Sequence, residues 1–182
     1  MPDSPYTVVY AGVLSPRKNA FLYQVGNVVR GYKVRLYGGG FDMRGAVHPE
    51  CFEQMGFVPS SQLIATAQGH FGLVWDGSSI DACEGDMGEY LKYNNPHKTS
   101  LYIRCHLPVI IWNQAALAPF VRQQGIGLCV DSLRDIAPTL AVLTPERYAE
   151  MRGRVEELSR QLAQGHFFRS ALQRAFNYLR QG

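Results

Sequence analysis

The stretch from Gly88 to Ser100, GEYLKYNNPHKTS, sets a capping residue, a proline and a cation directly ahead of an apolar helical pattern. Asn95 fits the N-cap position, where its side-chain oxygen can accept an orphan backbone N–H. Pro96 fits the first helical position, where its missing N–H costs nothing. The amides of His97, Lys98 and Thr99 would then point at whatever precedes the helix, where the macrodipole is positive, and the Lys98 ammonium adds a mobile charge. These residue types in this order suit an anion, and a nucleotide diphosphate is the natural ligand. A lysine at an exposed helix start contributes little to folding. Its value would lie in the ligand.

Other loops carry further candidates. Gly12 permits close backbone approach, and Arg17 and Lys18 after it could reach a phosphate. A solvated basic helix start is an equal reading, and the residues do not choose between Arg17 and Lys18. Gly38-Gly39-Gly40 could cradle a phosphate, but no capped helix follows, so it reads as a glycine turn. Asp76, Asp81, Glu84 and Asp86 crowd one loop. Helix amides and Lys98 already supply positive charge, which makes a chelated metal redundant, so the acids read as solvated and no metal or other cofactor is expected. Asp76 directly follows an apolar run and is placed to approach a bound ligand. His97 has no second ligand at helical spacing and reads as a phosphate contact or a surface residue. Tyr90, Tyr93 and Tyr102 could stack on a sugar or simply pack.

These loops need strands to hold them. Thr7–Ala11, Lys33–Tyr37, Phe52–Val58, Phe71–Trp75, Val109–Trp112 and Gly127–Val130 are short apolar runs separated by helical patterns. Continuous hydrophobicity, as in GLVW and PVIIW, suits strands covered on both faces, so the pattern predicts an α/β fold: a Rossmann-like, doubly wound parallel sheet of about six strands. Helices are expected at Asn19–Val29, Ser60–Ala67 and Gln114–Gln124, the last stopped by Gly125. A helical tail follows over 145–180, broken at Gly165, with Phe167, Phe168, Leu172, Phe176 and Leu179 forming an apolar stripe.

Composition narrows the classes. With 182 residues, 46% apolar and 18% charged, one domain over 1–182 with one core is the expectation. A net charge of +3, dispersed along the chain, gives no argument for nucleic acid. Cys51, Cys83, Cys105 and Cys129 lack zinc-site spacing and read as reduced thiols. No apolar run reaches membrane-spanning length and Met1-Pro2-Asp3-Ser4 has no signal-peptide character, so a cytoplasmic protein without a transmembrane segment is expected. A dinucleotide-dependent dehydrogenase lacks its GxGxxG fingerprint after the first strand.

Residues 71–86, the Asn-Asn-Pro-His-Lys-Thr-Ser string and residues 107–133 together resemble the C-terminal half of bacterial two-domain GT-B glycosyltransferases, in particular the β-1,6-galactofuranosyltransferase and adhesin glucosyltransferase group. The likeness runs from Tyr10 to the final helix. It implies that the chain grips the nucleotide of a UDP-sugar, with Gly12, Arg17, Lys18, Tyr93, Asn94, Asn95, Lys98, Thr99 and Ser100 as contacts and Asp76 approaching the donor sugar. The loop Gly56-Phe57-Val58-Pro59 would receive the base through backbone groups of Phe57 and Val58, unless Phe57 is core. The resemblance further implies transfer of galactofuranose or glucose to a glycan or glycoprotein acceptor. The acceptor-binding N-terminal domain is expected to be absent, leaving a separately expressed or truncated domain that turns over poorly, with no catalytic base of its own. The alternative is a non-catalytic assembly module in which the tail stripe drives homo-oligomer formation.

Overall fold

The buried runs dictate the sheet. Val8, Val9, Phe71, Val74, Val109, Ile110 and Ile111 are all without solvent exposure, which only a central parallel sheet covered on both faces allows. In the computed structural model, which describes residues 5–180, the strands are β1 (Tyr6–Ala11), β2 (Tyr32–Tyr37), β3 (Phe52–Gly56), β4 (Phe71–Val74), β5 (Val109–Trp112) and β6 (Gly127–Val130). They form one sheet in the order β3-β2-β1-β4-β5-β6, parallel throughout, with Val8 opposite Val34 and Phe71, and Leu73 opposite Ile110. The order reverses between β1 and β4. In a doubly wound sheet that reversal opens a crevice beyond the carboxyl ends of the two strands, where ligands bind.

The expected helix over Asn19–Val29 is instead two single turns, α1 (Pro16–Asn19) and α2 (Leu22–Val25). Gly77 divides them. Its amide donates to the Lys18 carbonyl at 2.8 Å and its carbonyl accepts from the Phe21 amide at 3.2 Å, which diverts both groups from a helical ladder. The loop after β4 is thereby tied to the loop after β1. Downstream are α3 (Ser60–Thr66), α4 (Gly85–Glu89), α5 (His97–Arg104), α6 (Ala118–Gln124) and α7 (Ile136–Ala141). Helix α6 starts later than expected because Pro119, lacking an N–H, fits only the first turn. Gly125 ends it in the left-handed region at φ 62°. Strand β3 stops short of Val58 because Gly56 turns left-handed at φ 74°.

The tail folds as α8 (Pro145–Ala163) and α9 (His166–Leu179), with Gly165 at φ 68° between them. Helix α8 buries Met151, Val155 and Leu158. It is tied to α5 by Arg104, whose Nη1 donates to the Ser159 carbonyl at 3.0 Å and to Ser159 Oγ at 2.9 Å. Helix α9 buries no residue of its own. All four cysteines are free thiols. No helix among the described residues is long and apolar enough to cross a membrane.

Candidate functional site

At the reversal point, Tyr10 near the end of β1 and Asp76 just beyond β4 meet above the sheet. The Tyr10 hydroxyl lies 2.7 Å from Asp76 Oδ1 and 3.0 Å from the Trp75 carbonyl, and it accepts from Asn19 Nδ2 at 2.8 Å. Lys98 comes down from the first turn of α5 into this cluster. Its Nζ donates to Asp76 Oδ1 at 2.7 Å and to the Tyr10 hydroxyl at 2.5 Å, and it sits 4.0 Å from the centre of the Tyr10 ring. Tyr10, Asn19 and Asp76 are buried, and the Lys98 side chain is only 11% exposed.

This corrects the expectation that Lys98 stands at an exposed helix start. Burial opposes its charge while Asp76 favours it, and burial wins, bringing the Lys98 pKa down to about 8. Lys18, nearby on α1, pushes the same way. Burial, reinforced by the Asp76 charge, raises the Tyr10 pKa well above its ordinary value, so Tyr10 remains a neutral hydroxyl in the cluster. Asp76, expected beside a donor sugar from its place after β4, turns its Oδ1 inward to Lys98 and Tyr10.

The cap of α5 also differs from expectation. Pro96 occupies the N-cap position with no side-chain cap, Asn95 lies outside the helix, and the Thr99 amide closes on the Pro96 carbonyl at 3.0 Å. The amides of His97 and Lys98 make no hydrogen bond to the described residues. They are left for a ligand or solvent.

A cleft of about 500 Å³ opens beside the cluster, between the ends of β1, β2 and β3 and the helices α3 and α5. Gly12, Val13, Gly38 and Gly39 form one wall, and Phe57, Val58 and Leu101 another. Phe57 is 78% exposed, so it stands at the mouth rather than in the core. Gly12 adopts φ 140°, and a Cβ there would lie 3.7 Å from Lys98 Cε, which places the lysine stem at the cleft's edge. A Cβ on Gly38 would fall 1.9 Å from the Gly12 carbonyl oxygen. The triple glycine therefore lets the second loop pack on the first.

The expected contacts divide between three places. Gly12, Phe57 and Val58 line the cleft, with Lys98 at its edge. Arg17 is exposed on a smaller polar hollow of about 130 Å³ with Ser78, Glu84 and Asp86, whereas Lys18 stays near the Lys98 cluster. Asn95, His97, Thr99 and Ser100 face a third hollow, of about 490 Å³, on the opposite side of α5 against Phe120, Leu158, Leu162 and Phe167. Buried there, Thr99 keeps an unpartnered Oγ1, and Asn94 keeps a buried, unpartnered Oδ1. Tyr93 is 81% exposed and touches none of the three hollows. Of the loop acids, Asp81 pairs with Arg134 at 2.6 Å, and Glu84 and Asp86 are exposed.

Residues 8–175 match the family described as Glucosyltransferase 3-like, C-terminal domain. The chain belongs to that family. It is 34% identical over 178 residues to the β-1,6-galactofuranosyltransferase WbbI of Escherichia coli (strain K12), a match spanning 98% of this chain and 52% of that relative. It is 33% identical over 110 residues to Glucosyltransferase 3 of Streptococcus gordonii, spanning 60% of this chain and 32% of the relative. The chain thus spans about half the length of the first relative and about a third of the second. Among solved structures it resembles Anabaena Alr3699/HepE, in complex with UDP and glucose, at a TM-score of 0.59 and 12% identity over 93% of this chain and 48% of that one. It also resembles WaaG, a glycosyltransferase involved in lipopolysaccharide biosynthesis, at 0.57 and 11% over 87% and 43%. At those identities the likeness is one of fold, and it is the Rossmann-like fold the strand pattern predicts.

Within this Glucosyltransferase 3-like domain, sequence reasoning overlooked Tyr10 and Asn19. Tyr10 sits inside an apolar run, where a tyrosine reads as packing. Asn19 follows two cations and reads as a helix start. The usable signal was adjacency: a hydroxyl near the end of β1 must face whatever ends β4, once the reversal point is placed between those strands.

Proposed function

We propose that this chain is the donor-nucleotide domain of a glycosyltransferase that transfers a hexosyl residue, galactofuranose or glucose, from a UDP-sugar to a glycan or glycoprotein acceptor. The observation that carries the reading is the cleft at the reversal point, with an exposed aromatic at its mouth and a buried lysine at its edge. The names of the two relatives support the transferase class and the two sugars, and the UDP bound in HepE supports the nucleotide.

In this reading the base lies against Phe57 and Val58, with their backbone groups on the uracil edge, and the diphosphate passes Gly12 to Lys98. Negative charge grows on the β-phosphate as the glycosidic bond breaks. The Lys98 ammonium and the unbonded amides of His97 and Lys98 stabilise it more in the transition state than in the ground state, without a metal. The chain supplies leaving-group stabilisation. The acceptor site and the catalytic base belong to a further domain of the kind that the longer relatives have room for.

Calorimetric titration of UDP, UDP-glucose and UDP-galactofuranose, with and without chelator, tests the proposal. Binding that survives chelation and is shared by UDP and one UDP-sugar is expected. Equal, negligible binding of all three would favour a second reading, assembly through α9, which draws on the exposure of Phe168, Phe176 and Leu179 along that helix.

A further inference from the structure

Lys98 has three N–H groups, and two are committed inside the protein, to Asp76 Oδ1 at 2.7 Å and the Tyr10 hydroxyl at 2.5 Å. The acceptors are themselves held. Asn19 Nδ2 donates to the Tyr10 hydroxyl at 2.8 Å, and the Asn19 side-chain oxygen is fixed by the Ser15 amide at 2.7 Å. The chain of contacts therefore runs from the loop after β1, through Asn19 and Tyr10, to Asp76 just beyond β4, and ends on the lysine. A mobile lysine that waits for an anion would need none of this. The geometry instead resembles a mount.

We infer that Asp76, anchored by Tyr10 and Asn19, is a positioning residue that keeps the buried Lys98 side chain protonated and fixed beside Gly12, leaving one N–H for an anionic diphosphate. A buried ammonium without a counterion releases its proton. The groups that face Lys98 are Asp76 from the end of β4, Tyr10 from β1, Lys18 from α1 and the Cys83 thiol from the loop before α4. Asp76 is the one carboxylate among them. Lys18 repels the ammonium, and burial holds Cys83 as a neutral thiol. The Lys98 pKa of about 8 marks the present balance, so losing the carboxylate would lower it further.

The ligand arm of this inference rests on the donor-nucleotide reading, but the charge arm does not. In ligand-free protein with labelled lysine, NMR titration of the Lys98 ammonium should show the midpoint falling by at least about one pH unit in Asp76→Asn. An unchanged midpoint overturns the inference. If Asp76→Asn does not fold, Tyr10→Phe removes one acceptor and should lower the midpoint in the same direction by a smaller amount.

UDP-glucose supplies the second arm, because its diphosphate has no group titrating near neutrality. The parent should bind it almost equally at about pH 6 and pH 7.5, whereas Asp76→Asn should lose about threefold or more at the higher pH and regain most of that at the lower. A loss independent of pH would mean that Asp76 acts by touching the ligand, which overturns the positioning role. If the parent itself ignores UDP-glucose, the donor reading falls, and the lysine titration still decides what Asp76 does.

Discussion

Lys98 Nζ lies 2.7 Å from Asp76 Oδ1, with the two side chains only 11% and 8% exposed. Charges withdrawn from water to this extent cannot be removed singly without leaving the other uncompensated. Lys98→Ala should therefore destabilise the fold by about 3–5 kcal/mol, and the double variant Lys98→Met with Asp76→Asn should recover most of that loss. Urea denaturation at neutral pH decides it. A single variant within about 1 kcal/mol of the parent would mean that water screens the pair as it does an ordinary surface one.

The same pair sets a pH dependence. Lys98 has a folded-state pKa of about 8 against an unfolded value of 10.5. Between those values the unfolded chain holds more protons, so this group's contribution to stability rises with pH; its cost is fully present below about 8 and is relieved above it. Burial raises the pKa of all four thiols and of Tyr10 and Tyr102, which works in the opposite direction at alkaline pH. The lysine is isolated as a difference. Relative to Lys98→Met, the parent should gain about 2 kcal/mol between roughly pH 7 and 9.5. A difference that stays flat would show that Lys98 keeps its proton throughout.

The triple glycine separates packing from phosphate binding. Gly38 stands at φ 147° with its added Cβ 1.9 Å from the Gly12 carbonyl oxygen, whereas an added Cβ on Gly39 meets nothing within 4 Å. Gly38→Ala should cost about 3 kcal/mol or more through strain and overlap, and Gly39→Ala less than about 0.5 kcal/mol. Thermal unfolding distinguishes them. If Gly39→Ala leaves stability alone yet abolishes UDP binding, the turn touches the ligand after all.

How legible this was depends on the range of the interaction. Strands β5 and β6 have the bounds that the apolar runs give, because burial on both faces leaves a local signature. Gly125 and Gly165 end helices where a left-handed residue is needed, again a local matter. The break between α1 and α2 left no local mark, since the groups that cause it arrive on Gly77 from beyond β4. Lys98 was legible as a candidate by its place near a helix start. Its burial was not, because Asp76 and Tyr10 reach it through the strand order rather than through sequence spacing. For the same reason one short string, Asn94 to Ser100, suggests one site although α5 turns Lys98 and Thr99 to opposite sides.

Phe57 offers a clean test of the cleft mouth because its ring is 78% exposed. Phe57→Ala should leave stability within about 0.5 kcal/mol of the parent. Loss of an aromatic face beside a base is worth about 1–3 kcal/mol, so UDP affinity should fall roughly five- to a hundredfold. Preference for uracil over adenine should persist, since backbone groups would read the base edge. Competition titrations with UDP and ADP measure both quantities. Unchanged UDP affinity would place the base elsewhere.

The last prediction concerns α9, which has no buried residue and exposes Phe168, Phe176 and Leu179 by 73%, 51% and 74%. Phe167 is the member of the stripe that turns inward, lining the hollow with Leu158 and Leu162 and meeting Phe120 at 6.3 Å between ring centres. The outer stripe therefore has no cover among the described residues, and apolar area left to water drives association. The isolated chain should self-associate in a concentration-dependent way, read by light scattering across a dilution series. Phe168→Glu with Phe176→Glu should return it to a monomer. Neither substitution removes a buried contact, so the unfolding midpoint should hardly move. UDP affinity should not move either, because the stripe lies on α9 and the cleft lies at the ends of β1, β2 and β3. A parent that is strictly monomeric at high concentration would show that exposed aromatics on α9 are tolerated by the chain alone, and it would remove the support for assembly through this helix.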